Sequence, residues 1–200
     1  MRRQLANLTS NILNPFLVSL AIIILLSFGS TTTISDAIKW SLISIAISIL
    51  PVFLVIAYLV RNERLENMFI SARRQRNKIY LLASICAVLC CVILFYSGAP
   101  LALVAAFVAG LSLVLLFMCI NLLWKISVHA AFVAGSVTVL TILHGSTGAV
   151  TAVLLPPIVW ARVELEHHSV AQVTAGAFLA ALVVVVVFHL FGLIGSITPL

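Results

Sequence analysis

Long apolar runs dominate this chain and leave it few possible folds. Seven runs with few charged residues lie at about 14–29, 38–60, 79–97, 100–123, 128–144, 147–163 and 170–194. A helix needs about 20 such residues to cross the hydrocarbon core of a bilayer. Backbone groups in lipid must be hydrogen-bonded within the segment, and the runs lack the alternating pattern of barrel strands. The sequence therefore predicts an all-α, polytopic transmembrane helical bundle of six to seven spans.

The composition agrees with a chain that lies almost entirely in lipid. Hydrophobic residues make up 64% of its 200 residues and charged residues only 8%, whereas a soluble domain has about 45–50% and about 25%. Little of the chain is left for a soluble domain. We therefore expect residues 1–200 to form a single integral membrane domain.

The basic residues predict how the chain is oriented. With seven crossings, the N-terminus, the 62–78 linker and the junctions at 124–129 and 161–169 share one side of the membrane. Ten of the eleven Lys and Arg residues are on that side, and Lys39 alone is on the other. The positive-inside rule makes the basic side cytoplasmic, and we expect a prokaryotic plasma membrane. Anionic headgroups account for the net charge of +6, which therefore does not indicate nucleic-acid binding.

Polar side chains gather at two of these junctions. Lys125, Ser127 and His129 lie at the start of the fifth span, Arg162 lies at the end of the sixth, and His168 lies just before the seventh. Because the fifth and sixth spans form a hairpin, both groups return to the same membrane interface. Helix N-termini at that interface attract anions. Cations beside paired imidazoles therefore predict a phosphate-binding site.

Two segments of this site resemble motifs of the type 2 phosphatidic acid phosphatase superfamily of membrane lipid phosphatases. The third motif of that family is S-R-x5-H-x3-D, and residues 161–172 (ARVELEHHSVAQ) have its spacing, with Ala for Ser and Gln for Asp. The second motif is P-S-G-H, which residues 126–129 (ISVH) resemble. The first motif is K-x6-R-P, and its best counterpart is RRQRN at 73–77. The resemblance covers residues 73–180.

The resemblance implies a role for each matched residue. His168 would attack phosphorus and form a phosphohistidine, and His129 would protonate the leaving group. Gln172 would orient the imidazole of His168. The residues implied for binding the phosphoryl oxygens are Arg162, Ser127, Lys125, Arg76 and Arg73.

The sequence departs from the family pattern beside the implied nucleophile. The family Asp orients the imidazole and stabilises its positive charge, whereas Gln172 can only orient it. A hydrogen bond to a charged group contributes about 1.5–3 kcal/mol, or roughly a ten- to hundredfold change in rate. The departure is therefore compatible with an enzyme of slow turnover, with an enzyme that acts on another substrate, and with an inactive relative of the family. Glu164 or Glu166 is an alternative source of negative charge, and His167 is an alternative nucleophile that would break the arginine spacing.

With the resemblance, the sequence predicts a metal-independent membrane lipid phosphatase. Its substrate would be a lipid phosphomonoester or diphosphate, either an isoprenoid phosphate or a phosphatidate-like lipid. The implied reaction needs no cofactor, and the expected partners are the lipid phosphate substrate and membrane lipids. Two alternatives are a lipid phosphotransferase and a non-catalytic protein that binds lipid phosphate. A transporter is disfavoured because the polar groups gather at one interface and not near the bilayer midplane.

Overall fold

The computed structural model describes residues 1–62 and 73–195, without the side chains of residues 73–76. All regular secondary structure in these residues is helical. The α-helices are α1 (Arg2–Ile12), α2 (Pro15–Gly29), α3 (Ile34–Ser44), α4 (Leu50–Arg61), α5 (Arg73–Tyr96), α6 (Leu101–Leu123), α7 (Val128–Ala149), α8 (Leu155–Glu164) and α9 (Val170–Leu190). A π-helical turn (Ile45–Ile49) joins α3 to α4, and a 3-10 turn (Val150–Leu154) joins α7 to α8.

Several helical segments are long and apolar enough to cross a membrane. Within the described residues these five segments are Ile34–Arg61, Asn77–Tyr96, Leu101–Leu123, Val128–Glu164 and Val170–Leu190. A sixth is formed if α1 and α2, which meet at a bend of 42°, make one broken span. The prediction of an all-α transmembrane bundle is confirmed, and the chain has the architecture of an integral membrane protein.

The expected fifth and sixth spans form one bent segment. The bend is at Gly145, whose φ of 58° and ψ of −131° suit a residue without a Cβ. Beyond the bend α8 folds back onto α7, and Val133 and Val137 pack against Ile158. The returning limb, Val150–Glu164, has five 3-10 and ten α-helical residues, which rise about 25 Å. The limb is slightly shorter than a hydrocarbon core of about 30 Å, which explains why fewer than seven segments have the length of a full span.

The described chain divides into two compact units. The central unit is Ile23–Trp124, and the terminal unit combines Met1–Ile22 with Lys125–Leu200. In the central unit α5 packs along α6, and Asn121 Nδ2 donates a hydrogen bond of 2.6 Å to Asn77 Oδ1. The first-motif segment at 73–77 belongs to this unit. The side chains of its expected phosphate ligands, Arg73 and Arg76, lie outside the described residues.

The terminal unit is built around the helix pair α7 and α9. These helices pack extensively against each other, and α8 packs against both. At Gly176, α9 closely approaches the segment before α7, since a Cβ there would lie 2.7 Å from the Ser127 carbonyl oxygen. On the other side of α8, Ala6 of α1 packs against Ala161 and Leu165. The start of α7, the turn between α8 and α9, and α1 therefore meet at one end of this unit.

Helix α1 is an amphipathic helix that the span prediction did not include. Its inner face buries Ala6 and Ser10, while Leu5, Leu8 and Ile12 are exposed on its outer face. An exposed apolar face on a polar helix is typical of helices that lie at the membrane interface. The apolar outer face of α1 is therefore open to contact with lipid, while its inner face packs against the end of α8.

Candidate functional site

The segment before α7 is bonded to the first turn of α9. The Ser127 N–H donates a hydrogen bond of 3.3 Å to the carbonyl oxygen of Gln172. The close approach at Gly176 permits this contact, because a side chain there would meet the Ser127 carbonyl. The N-termini of α7 and α9 consequently lie close together. Each helix N-terminus carries partial positive charge, so an anion is favoured between them.

The side chain of Gln172 orients the ring of His168. Its Oε1 lies 3.2 Å from His168 Nδ1 and accepts a hydrogen bond of 3.3 Å from the Ser169 N–H. The Ser169 N–H can only donate, so the group facing it is the amide oxygen. To bond that same oxygen, His168 Nδ1 must carry the ring proton. The lone pair of the neutral imidazole is then on Nε2, as a nucleophile requires.

Gln172 also caps the N-terminus of α9. The Gln172 N–H donates to Ser169 Oγ at 3.3 Å, and the Gln172 side chain bonds the Ser169 N–H in return. A reciprocal cap of this kind satisfies two helix donors, and a cap residue contributes about 1 kcal/mol. The residue that orients His168 is therefore fixed by the start of the helix.

Arg162 is buried at the end of α8 and is held from two sides. Its Nη1 donates a hydrogen bond of 2.8 Å to Ser10 Oγ. Its carbonyl oxygen accepts a hydrogen bond of 3.3 Å from the His168 N–H. The turn between them passes through Glu166 at a φ of 57°, which costs about 1 kcal/mol for a residue with a Cβ. This tight turn brings the backbone of His168 back to that of Arg162.

The polar groups of the site are withdrawn from solvent. The exposed fraction is 4% for Arg162, 8% for His168, 5% for His129 and 0% for Ser127. Within the described part of the chain, Ser127 Oγ has no hydrogen-bond partner. An unsatisfied buried hydroxyl costs about 1–3 kcal/mol. A ligand oxygen that accepts from Ser127 would remove that cost.

Positive charge surrounds the turn between α8 and α9. Partial burial and the positive charges of Arg162, Lys125 and Arg3 lower the pKa of His167. Lys125 and Arg3 therefore contribute to the positive potential at His167. A concentration of positive charge at one end of a low-dielectric bundle attracts anions.

The terminal unit brings together most of the residues predicted for the site. It contains the six predicted residues Lys125, Ser127, His129, Arg162, His168 and Gln172. Both glutamates considered as replacements for the family Asp lie in the segment between Arg162 and His168. Glu164 lies 3.9 Å from Arg2, and Glu166 is exposed. The amide oxygen of Gln172 is within hydrogen-bond distance of His168 Nδ1.

Sequence reasoning missed the contribution of α1. Arg2 and Arg3 were interpreted as an orientation signal, and Ser10 was given no role. The available signal was the polar character of residues 2–12, which are helical but contain too many Asn, Gln and Arg residues for a span. The spacing of Ala6 and Ser10 places both on one face of such a helix.

The side chains assembled here are those of histidine, arginine, lysine, serine and glutamine. Among the residues that the structure describes, no group of three or more His, Cys, Asp or Glu side chains is placed to hold a metal ion. Comparison of the chain with protein-family models, curated proteins and solved structures gave no significant match.

Proposed function

We propose that this protein is a metal-independent phosphatase that hydrolyses the phosphomonoester or diphosphate of a membrane lipid through a phosphohistidine intermediate. The observation that carries this proposal is the orientation of His168. Gln172 holds its Nδ1 in the protonated form, so the lone pair of the neutral ring is on Nε2, and the His168 backbone is bonded to that of the buried Arg162. An oriented imidazole next to a buried cation suits nucleophilic attack on a phosphoryl group.

The first step transfers the phosphoryl group to the enzyme. His168 Nε2 attacks phosphorus, and the bond between phosphorus and the leaving oxygen breaks. His129 gives its proton to that oxygen, which belongs to a lipid alcohol or, for a diphosphate, to a lipid monophosphate. Arg162 and Ser127 donate hydrogen bonds to the phosphoryl oxygens while negative charge builds on them.

The second step releases inorganic phosphate. A water molecule loses a proton to the now neutral His129 and attacks the phosphorus of the phosphohistidine. The bond between phosphorus and Nε2 breaks, and the electron pair returns to His168. The positive charge of Lys125 holds the phosphate during both steps.

Substrate classes and location follow from the membrane setting of the site. Isoprenoid phosphates and phosphatidate-like lipids are the candidate substrates, because a lipid reaches the site laterally from the bilayer. The distribution of Lys and Arg supports a cytoplasmic site in a prokaryotic plasma membrane. The exposed apolar face of α1, with Leu5 and Leu8, supports entry at the level of the headgroups.

The test is phosphate release by the protein purified in detergent. The substrates are phosphatidate, lysophosphatidate, and isoprenyl mono- and diphosphates, assayed without added metal and with a chelator. His168→Ala should abolish release, because it removes the proposed nucleophile. His167→Ala is the matched control, since it removes the adjacent, exposed imidazole and should retain activity.

Three other outcomes would each change the assignment. Release that persists in His168→Ala would exclude the proposed nucleophile. Product that forms only when an alcohol acceptor is added would identify a phosphotransferase. Binding of lipid phosphate without any release would identify a non-catalytic binding protein, in which the neutral Gln172 does not support turnover.

A further inference from the structure

The N-terminal helix contributes directly to the environment of the buried arginine. Ser10 of α1 is only 2% exposed, and its Oγ accepts the hydrogen bond of 2.8 Å from Arg162 Nη1 across 152 residues of sequence. Ala6, one turn earlier, packs against Ala161, the residue before the arginine. Arg2, at the start of the same helix, lies 3.9 Å from Glu164. α1 is therefore fastened to the end of α8 on both sides of Arg162.

The chemical nature of this contact matters for an arginine that binds phosphate. A carboxylate partner would neutralise the guanidinium and would repel an incoming phosphoryl group. A hydroxyl fixes the direction of one N–H donor without bringing a negative charge to the guanidinium. Arg162 has five N–H donors in a planar fork, so anchoring Nη1 also sets the plane in which the remaining donors point.

We propose that Ser10 is a positioning residue, which holds the guanidinium of Arg162 in the orientation that binds the phosphoryl group without placing a negative charge against it. This inference rests on the proposed function and assigns α1 to the phosphate site. It adds a residue from outside the segments that carry the sequence motifs. Ser10 acts through Arg162 and does not itself take part in bond making.

The decisive measurement is the inhibition constant of orthovanadate, which mimics a phosphoryl group in transfer. Ser10→Ala should raise that constant about tenfold, because the guanidinium loses a hydrogen bond of the charged type. Ser10→Thr keeps the hydroxyl and should restore affinity to within about twofold of the wild type. Ser27→Ala is the matched control, since Ser27 is also fully buried and its Oγ has no partner among the described residues.

A purely structural role for Ser10 gives a different result. Loss of folded protein lowers the active fraction and kcat, but it leaves the inhibition constant of the surviving molecules unchanged. Equal constants for Ser10→Ala, Ser27→Ala and the wild type would therefore overturn the inference. A raised constant with an unchanged unfolding temperature, and its recovery in Ser10→Thr, is the expected result.

Direct binding separates this inference from the proposed hydrolysis. Orthophosphate affinity is measured by titration calorimetry on the wild type, Arg162→Ala and Ser10→Ala. Binding that depends on both residues, without hydrolysis of any lipid, would support the positioning role and reject the phosphatase. Hydrolysis that depends on His168, with orthophosphate affinity unaffected by Ser10→Ala, would support the phosphatase and reject the positioning role. A wild type that neither hydrolyses nor binds would reject both.

Discussion

At the scale of single residues, the side-chain oxygen of Gln172 accepts hydrogen bonds from two neighbouring residues. Its Oε1 accepts from Ser169 N–H and is bonded to His168 Nδ1, so the tautomer of the imidazole is set by the geometry of a helix cap. An amide supplies direction but no charge. The phosphohistidine and the protonated imidazole both carry positive charge that a carboxylate would stabilise and Gln172 does not. Residue 172 is therefore where the rate of the proposed reaction is most open to improvement.

Gln172→Glu should raise kcat about tenfold. The side chain keeps its length and its cap to Ser169, while the new carboxylate stabilises the charged imidazole by a charge-assisted hydrogen bond. The carboxylate also raises the pKa of His168, so the acidic limb of the pH–rate profile should move to higher pH. Gln172→Met, which keeps the length but removes the acceptor, should lower kcat. A slower Gln172→Glu enzyme would contradict this account of the site.

His167 gives a pH dependence of stability whose sign follows from its surroundings. Its pKa in the folded protein is lowered below the ordinary value of 6.5 by partial burial and by the charges of Arg162, Lys125 and Arg3. As the pH falls through 6.5 towards the folded pKa, the unfolded state binds the proton more readily and stability decreases. His167→Gln removes the titrating imidazole and with it this pH-dependent loss of stability.

The unfolding temperature of His167→Gln should therefore rise relative to that of the wild type as the pH is lowered from 8 to 5. The gain should be about 1–2 °C at the acidic end, because the ring is exposed and the effect is screened. Thermal unfolding of both proteins at each pH measures the difference, in which contributions of other groups cancel. A difference that does not vary with pH would mean that the cations do not act on His167.

Contacts within a short segment are more predictable from the sequence than contacts between distant segments. The spacing of Arg162, His168 and Gln172 was sufficient to expect them in one site, because short loops between helices leave little freedom. The contact of Ser10 with Arg162 was not predictable, since it depends on how α1 packs against α8. No local pattern encodes a contact between positions so far apart.

At the scale of helices, Gly176 sets the distance between α9 and the segment before α7. A Cβ at this position would lie 2.7 Å from the backbone oxygen of Ser127 and 3.4 Å from Ile126 Cγ1. A backbone atom cannot move aside as a side chain does. The absence of a side chain thus permits the hydrogen bond between Ser127 N–H and the Gln172 carbonyl, which brings the two helix starts together.

Gly176→Ala should displace these segments and lower stability by about 1–3 kcal/mol, the usual cost of overpacking. Phosphate release should fall at least tenfold, because Ser127 and His129 move away from His168. Gly135→Ala is the control in the same helix pair, since its Cβ would make only ordinary contacts of 3.7 and 3.9 Å with Val184 and Ala180. Both variants are compared by thermal unfolding and by activity, and equal effects would argue against the proposed close approach.

The helices themselves were largely predictable, and their breaks were less so. Apolar runs located the helical segments, because a backbone in lipid has few alternatives to a helix. The 3-10 turn Val150–Leu154 and the short α8 were not expected, since an apolar residue has the same hydropathy in either helix type. α1 was not predicted because its polar residues make residues 2–12 too hydrophilic for a membrane span, and spans were the only helices that the apolar runs could locate.

At the scale of the whole molecule, the hairpin from α7 to α8 decides which parts of the chain share a side of the membrane. Its tip contains His144 and Gly145, and its ends contain His129 and Arg162. Packing of α8 back onto α7 returns the chain to the end from which it started. The tip and the site are therefore expected to face opposite sides of the bilayer.

His144→Cys and His167→Cys should label from opposite sides of sealed vesicles. Both are introduced into a background in which the four native cysteines are replaced by Ser or Ala, and a membrane-impermeant maleimide is applied before and after the vesicles are opened. The positive-inside rule assigns His167→Cys to the cytoplasmic side. Labelling of both from the same side would show that the short returning limb does not complete a crossing.

The pairing of Ser10 with Arg162 also determines when the site is assembled during biosynthesis. Because 152 positions separate these residues, α1 leaves the ribosome long before Arg162 has been synthesised. The central unit is synthesised in the interval, between the two parts of the terminal unit. No nascent chain that ends before α9 contains the oriented imidazole, whatever it has already inserted. The complete candidate site therefore requires that α9 has been synthesised and has packed against α7.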